Sequence, residues 1–187
     1  MKTYTIIGGV NGTGKSSLTG VLLAKDTQLG TVIDTDKITK QIGGDKIKGG
    51  KAAIQKINYC LEKGLNFTQE TTLAGTRTLK TIKKAIDLDY RINLYYVGVN
   101  SFQESIIRIA NRVSKGGHNI PDDDVIRRYH NRFEDLCRVM PYCSEVYFFD
   151  NENGFVQIAE YKNGEIFTLV KNLPEWFEDF KKYLQIN

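Results

Sequence analysis

Eight consecutive residues, Gly9-Val10-Asn11-Gly12-Thr13-Gly14-Lys15-Ser16, satisfy the pattern G-x-x-x-x-G-K-[ST] at every position. Glycines at this spacing let backbone N–H groups turn inward around phosphate oxygens, and the N-terminus of a following helix adds partial positive charge. Lys15 is placed to reach the outer phosphates of ATP and Ser16 to ligate Mg²⁺. Gly9, Asn11, Gly12, Thr13, Gly14 and Ser17 complete the cradle. An apolar, β-branched run at 4–7 precedes the loop and a helical stretch at 16–25 follows it, which is the context this chemistry requires.

Phosphoryl transfer also needs cations over the phosphates and a base at the acceptor hydroxyl. Arg108 and Arg112 are four apart and share a helix face, while Arg127, Arg128 and Arg132 recur after the Gly116-Gly117 joint. Two arginine-bearing helices hinged on glycines can close over a triphosphate, neutralise developing charge and exclude water. The competing reading is a solvated face paired with Asp122, Asp123, Asp124, Glu134 and Asp135. Asp34 and Asp36 end a short strand, where α/β sites assemble. Asp36 is preferred as the base, with Asp34 contacting substrate and a helix-cap role as the competing reading. Glu70, Thr71 and Thr72 close the next strand, with Glu70 suited to a substrate hydroxyl or a Mg²⁺-bound water. Arg77 and His118 are further candidates for substrate contact. A D-x-x-G switch and an N-K-x-D base motif are both missing, and the apolar strand at 92–99 runs into Gly98-Val99-Asn100 with no acid. A small-molecule kinase fits better than a GTPase or a motor ATPase.

These residues need a scaffold, and 187 residues with 41% hydrophobic and 26% charged side chains suit one globular domain over 1–187. Lys and Arg number 26 against 22 Asp and Glu; the net charge of +4 tolerates an anionic ligand but does not mark a nucleic-acid binder. Cys60, Cys137 and Cys143 form no C-x-x-C pair, so free thiols are expected. No apolar stretch approaches the roughly 20 residues of a membrane span and no signal-peptide core is present, so a cytoplasmic location is expected. Further strands are predicted at 31–34, 65–69 and 146–149, and helices at 51–63, 77–87, 101–114 and 122–140. Residues 41–50, with four glycines, read as an exposed loop. Asn163-Gly164 marks a hairpin appended to the core, and Pro174 opens a terminal helix. The sum is an α/β P-loop NTPase three-layer fold with a mostly parallel central sheet. A helical lid spans about 101–140, and a C-terminal β-hairpin plus helix occupies 155–187.

The segments GGVNGTGKSS, IDTDKI, QETTLAG, YYVGVNSFQESIIRIANRVSKGGHNIPDDDVIRRYHNRFEDL and FFDNENG together resemble the zeta-toxin-like P-loop kinases. The similarity is greatest to a short branch often labelled predicted ABC-type ATPases. It implies ATP- and Mg²⁺-dependent phosphorylation of a sugar-nucleotide, UDP-N-acetylglucosamine in the toxins. It matches Asp36 to the family's base, Glu70 and Thr72 to its substrate-contacting strand end, and Arg108 or Arg112 to its first lid arginine. Two departures stand out. Ala74 occupies a position where the toxins carry arginine, with Arg77 only a neighbour, and their second lid arginine falls near His118 unless Arg127 or Arg128 substitutes. The resemblance leaves two arrangements open, a toxin with an antitoxin partner or a stand-alone kinase.

Overall fold

Runs of alternating β-branched and aromatic residues separated by amphipathic stretches build strands and helices in turn. A computed structural model describes residues 1–117 and 119–186. In chain order the elements are β1 (Lys2–Gly8), α1 (Lys15–Ala24), β2 (Thr31–Asp34), α2 (Thr35–Gln41), α3 (Lys46–Lys63), β3 (Phe67–Thr71), α4 (Arg77–Ile86) and β4 (Tyr90–Gly98). They continue with α5 (Phe102–Ser114), α6 (Asp122–His130), α7 (Arg132–Val139), β5 (Glu145–Asp150), β6 (Val156–Lys162), β7 (Glu165–Thr168) and α8 (Glu175–Ile186). The strands form one sheet in the order β2-β3-β1-β4-β5-β6-β7. The first five are parallel and the last two antiparallel.

Both faces of the sheet are covered, as parallel strands require. On one face Tyr4, Ile6, Phe67 and Leu94 pack with Ala53 and Ile57 of α3, Ile82 of α4, Leu136 of α7 and Phe177 of α8. On the other, Ile7 and Val97 pack with Leu18 and Leu22 of α1. This is the three-layer α/β arrangement that the sequence implies. No described helix is long and apolar enough to cross a membrane.

Three expectations are corrected. The 41–50 stretch is a loop only in part, because Asp45 accepts from the N–H groups of Ile47 and Lys48, both at 3.0 Å, and starts α3 at Lys46. Gly49 is then a packing glycine: a Cβ there would sit 1.9 Å from Thr39 Oγ1, so its absence lets α2 and α3 touch. The helix expected over 122–140 is interrupted at Asn131, whose backbone lies at φ −87, ψ 0, and Arg132 stacks over the rings of Tyr129 and Phe133 across that break. The hairpin is not an appendage but extends the central sheet, since β6 pairs with the outer edge of β5.

The last helix closes the sheet end that matters for the site. Trp176 lies flat against Gly98, donates from Nε1 to Asp150 Oδ1 at 2.9 Å, and its backbone N–H reaches Asn100 Oδ1 at 3.1 Å. A Cβ on Gly98 would fall 2.2 Å from the Trp176 ring. Gly98→Ala should therefore lower unfolding free energy by about 1–3 kcal/mol through overpacking. Gly20→Ala, in an exposed turn of α1 with nothing within 4 Å, should raise it by about 0.5–1 kcal/mol. Urea denaturation of both variants checks the pair.

Candidate active site

The phosphate loop joins β1 to α1 at the C-terminal edge of the parallel strands, beside the neighbouring ends of β3 and β4. Gly9 has φ +144 and lies so close to β4 that a Cβ would meet the Val97 carbonyl oxygen at 2.4 Å. Gly14 is the left-handed N-cap of α1 at φ +95, pressed against the Asn151 side chain. Only glycine meets both demands at these positions. Thr13 is fully buried, and its hydroxyl donates to the Val10 carbonyl at 3.1 Å, which stiffens the loop from behind.

Lys15 folds over this loop, donating from Nζ to the carbonyls of Gly9 (2.9 Å) and Val10 (2.8 Å). Burial pulls its ammonium down to about 8, against the opposing pull of the Glu70 and Asp36 carboxylates. Ser16 Oγ donates to Glu70 Oε2 at 2.6 Å, and Thr19 Oγ1 donates to the other carboxylate oxygen at 2.7 Å. Asp34 Oδ2 lies 3.4 Å from the same Ser16 hydroxyl. This oxygen-only set of one hydroxyl and two carboxylates suits a small hard cation that shares its coordination with phosphate.

The two candidate bases separate by environment. Asp34 is buried, and its Oδ1 accepts from the N–H groups of Asp36 (2.9 Å) and Lys37 (3.1 Å), so it caps α2. Asp36, one residue into that helix, is exposed to the cleft and close enough to Lys15 to act on its charge. The cap that sequence reasoning set against Asp36 is in fact made by Asp34.

A cleft of about 1360 Å³ gathers most of the predicted residues: Asn11, Gly12, Gly14, Lys15, Ser16, Ser17, Asp34, Asp36, Glu70, Thr71, Thr72, Arg77, Arg108, Arg112 and Arg128. Gly9 and Thr13 stand behind its wall, and His118 lies outside the described residues. Arg108 is held by Glu104 and by the Asn151 carbonyl at 2.6 Å, while Arg128 Nη1 donates to Asn11 Oδ1 at 2.7 Å. Arg127 pairs with Asp124 in solvent, and Arg132 is spent on aromatic rings, so the structural reading describes these two. Thr71 also serves structure: its Oγ1 accepts from the Leu73 N–H at 3.1 Å and meets Thr78 Oγ1 at 3.2 Å. The turn it caps holds the buried Leu73 at φ +64, a strained conformation kept by its surroundings.

Sequence reasoning missed the far wall. Asn151 donates from Nδ2 to the Thr13 carbonyl at 2.9 Å and, with Glu152, lines the cleft at the end of β5. The polar pair that follows an apolar strand in FFDNENG was the available signal. Ala53, Ile54 and Ile57 of α3 line the opposite side together with Lys40, Lys80 and Gln69. No motif marks these, because a core-facing helix stripe looks the same whether or not it borders a cavity.

Fold and phosphate loop together define the class: the protein is a three-layer α/β chain with a P-loop at the end of its first strand. No family model matches the chain. AvrRxo1-ORF1, solved in complex with AvrRxo1-ORF2 and also with ATP, superposes over 96% of this chain at 14–15% identity, TM-score 0.69. This chain spans 63% of the length of that structure. The PezAT toxin-antitoxin system of Streptococcus pneumoniae matches over 100% of this chain and 85% of the other at 13% identity, TM-score 0.64. A Chloroflexus aurantiacus protein provisionally assigned as a kinase matches over 98% and 97% at 14% identity, TM-score 0.59. At such identities the likeness is one of fold. The chain belongs to one family with an uncharacterized protein of Haemophilus influenzae, to which it is 32% identical over 126 residues, 65% of this chain and 88% of that protein.

Lys15 must carry its charge to hold a polyphosphate, and in the free protein it titrates near 8. Phosphate raises the ammonium pKa, so binding of ATP should take up a proton at about pH 8.5 and weaken as pH rises through the free value. Isothermal titration in buffers of different ionisation enthalpy reads that uptake. Lys15→Met should remove it and cost about tenfold or more in affinity.

Proposed function

We propose that the protein is a kinase that moves the γ-phosphoryl group of ATP to a hydroxyl of a small molecule, a sugar-nucleotide such as UDP-N-acetylglucosamine being the acceptor the resemblance favours. One observation carries the reading: the phosphate loop, the Asp36 carboxylate and three lid arginines open into the same cleft. At about 1360 Å³ that cleft exceeds the roughly 300–1,000 Å³ of a site for one small ligand, which leaves room for donor and acceptor together.

In this reading Asp36 takes the proton of the acceptor hydroxyl as its oxygen bonds to the γ-phosphorus. The bond from that phosphorus to the β,γ-bridging oxygen breaks, and ADP leaves with the electron pair. Lys15 and the arginines Arg108, Arg112 and Arg128 stabilise charge on the transferring group. Ser16, Glu70 and Asp34 would hold Mg²⁺, which when bound neutralises the β- and γ-phosphates. Asp34 fixes the first turn of α2 and so aims Asp36. Arg77 and Thr72 line the same cleft, and in this reading they contact the acceptor.

Asp36→Asn should lower transfer by about 10²–10⁴-fold, the range for loss of a general base, while ATP affinity changes little. Incubating wild type and variant with labelled ATP and a panel of UDP-sugars, nucleosides and sugar alcohols, read by mass spectrometry, tests this. Equal transfer by the two proteins would remove Asp36 from the role; no phosphorylated product from wild type would remove the kinase reading itself.

A further inference from the structure

Side chains on a strand alternate between faces, and the last residues of β3 use that alternation at the site. Glu70 turns toward α1, where Ser16 and Thr19 donate to it. Gln69, its neighbour, turns to the other face, whose core contains Tyr4 and Phe67 and is covered by α3. There Gln69 lines the cleft, whose wall also includes Ala53, Ile54 and Ile57 of α3. It is only 8% exposed, so its amide groups are seen by the cleft and by little else.

Tyr4 explains how that amide is oriented. Its ring is completely buried and stacked on Phe67 with centroids 4.4 Å apart, a place that phenylalanine would fill equally well. The hydroxyl is accommodated because it donates to Gln69 Oε1. Burial, with a smaller push from Cys143, holds the Tyr4 phenol well above its ordinary range, so it stays a donor. With Oε1 occupied, the two N–H groups on Nε2 remain, and among the described residues no hydrogen bond from Nε2 is made. A nearly buried carboxamide with unspent donors on the wall of a cavity asks for a partner that the protein does not supply.

We propose that Gln69 is a specificity-determining residue of the acceptor site, donating from Nε2 to an oxygen carried by the acceptor, and that Tyr4 is the positioning residue that fixes the amide in this orientation. The inference rests on the kinase reading for its acceptor but not for its geometry. Consecutive residues of one strand thus divide the labour, Glu70 on the phosphate-loop side and Gln69 on the acceptor side.

Two measurements test it. In the free protein, the Gln69 side-chain amide, assigned in ¹⁵N spectra by its loss in Gln69→Glu, should exchange its protons rapidly with water. Protected protons would show that Nε2 already donates within the protein and would overturn the proposal. In steady-state assays, UDP-N-acetylglucosamine is the first probe, followed by whichever panel compound the wild type phosphorylates. Gln69→Leu and the isosteric Gln69→Glu should each raise acceptor KM about tenfold, with ATP KM and kcat at saturating acceptor unchanged. Tyr4→Phe should shift acceptor KM in the same direction by a smaller factor, since the amide is retained but no longer oriented. An unchanged acceptor KM in Gln69→Leu, or a loss of kcat together with a rise in ATP KM, would overturn the assignment. A wild type that phosphorylates nothing refutes the kinase reading instead, and leaves the amide-exchange result to judge the geometry.

Discussion

Glu70 is a carboxylate taken almost entirely out of water, and such a group is stable in place only when donors meet its oxygens. Both donors come from the first turns of α1: Ser16 to one oxygen, Thr19 to the other. The end of β3 is thereby fastened to the start of α1, on either side of which lie the backbone N–H groups of the phosphate loop. Lys15, immediately before Ser16, takes part of its remaining charge stabilisation from the same carboxylate. Asp34, at the end of β2, joins through Ser16 while capping α2. One buried charge thus sets the relative positions of three strand ends and the loop.

Around that anchor the sheet works as a partition. Its α1 side presents the phosphate loop, and its α3 side presents an apolar wall with Gln69, Arg77 and Lys80 at the border. The helices α5 and α6 supply arginines from above, tied down by Asn11 and Asn151 rather than by the acidic residues nearest in sequence alone. Farther along, Arg138 of α7 donates to Asp135 at 2.8 Å and to the Gly75 carbonyl at 3.3 Å, so the helical segment also grips the turn that borders the cleft. Burial of Asp135 raises its pKa, the Arg138 guanidinium opposes that rise, and the pair survives inside because each compensates the other.

Much of the fold was legible because it is encoded locally. The G-x-x-x-x-G-K-[ST] loop between a β-branched run and a helix, the parallel-strand apolarity of β4 and the Asn163-Gly164 turn each depend on neighbours a few residues apart. The errors have a common cause in packing. Gly49 reads as a loop residue until α2 is seen against it, and the hairpin reads as separate until the edge of β5 is seen to need a partner. The arginines were legible as a group but not individually. Arg127 and Arg132 carry the same charge and near-identical spacing as Arg128, yet only Arg128 among the three lines the cleft.

The sequence by itself determined that this chain presents a phosphate-binding loop on a three-layer α/β scaffold, since loop chemistry and periodic burial are properties of short windows. Tertiary structure alone decided that Glu70 is anchored to α1, that Arg128 is the arginine of its helix that reaches the cleft, and that Asn151 belongs to the cleft wall. Those decisions rest on hydrogen bonds between residues 54, 117 and 138 positions apart, Glu70 to Ser16, Arg128 to Asn11 and Asn151 to Thr13. No window of sequence contains both ends of such a bond; only the folding of the sheet brings them within reach.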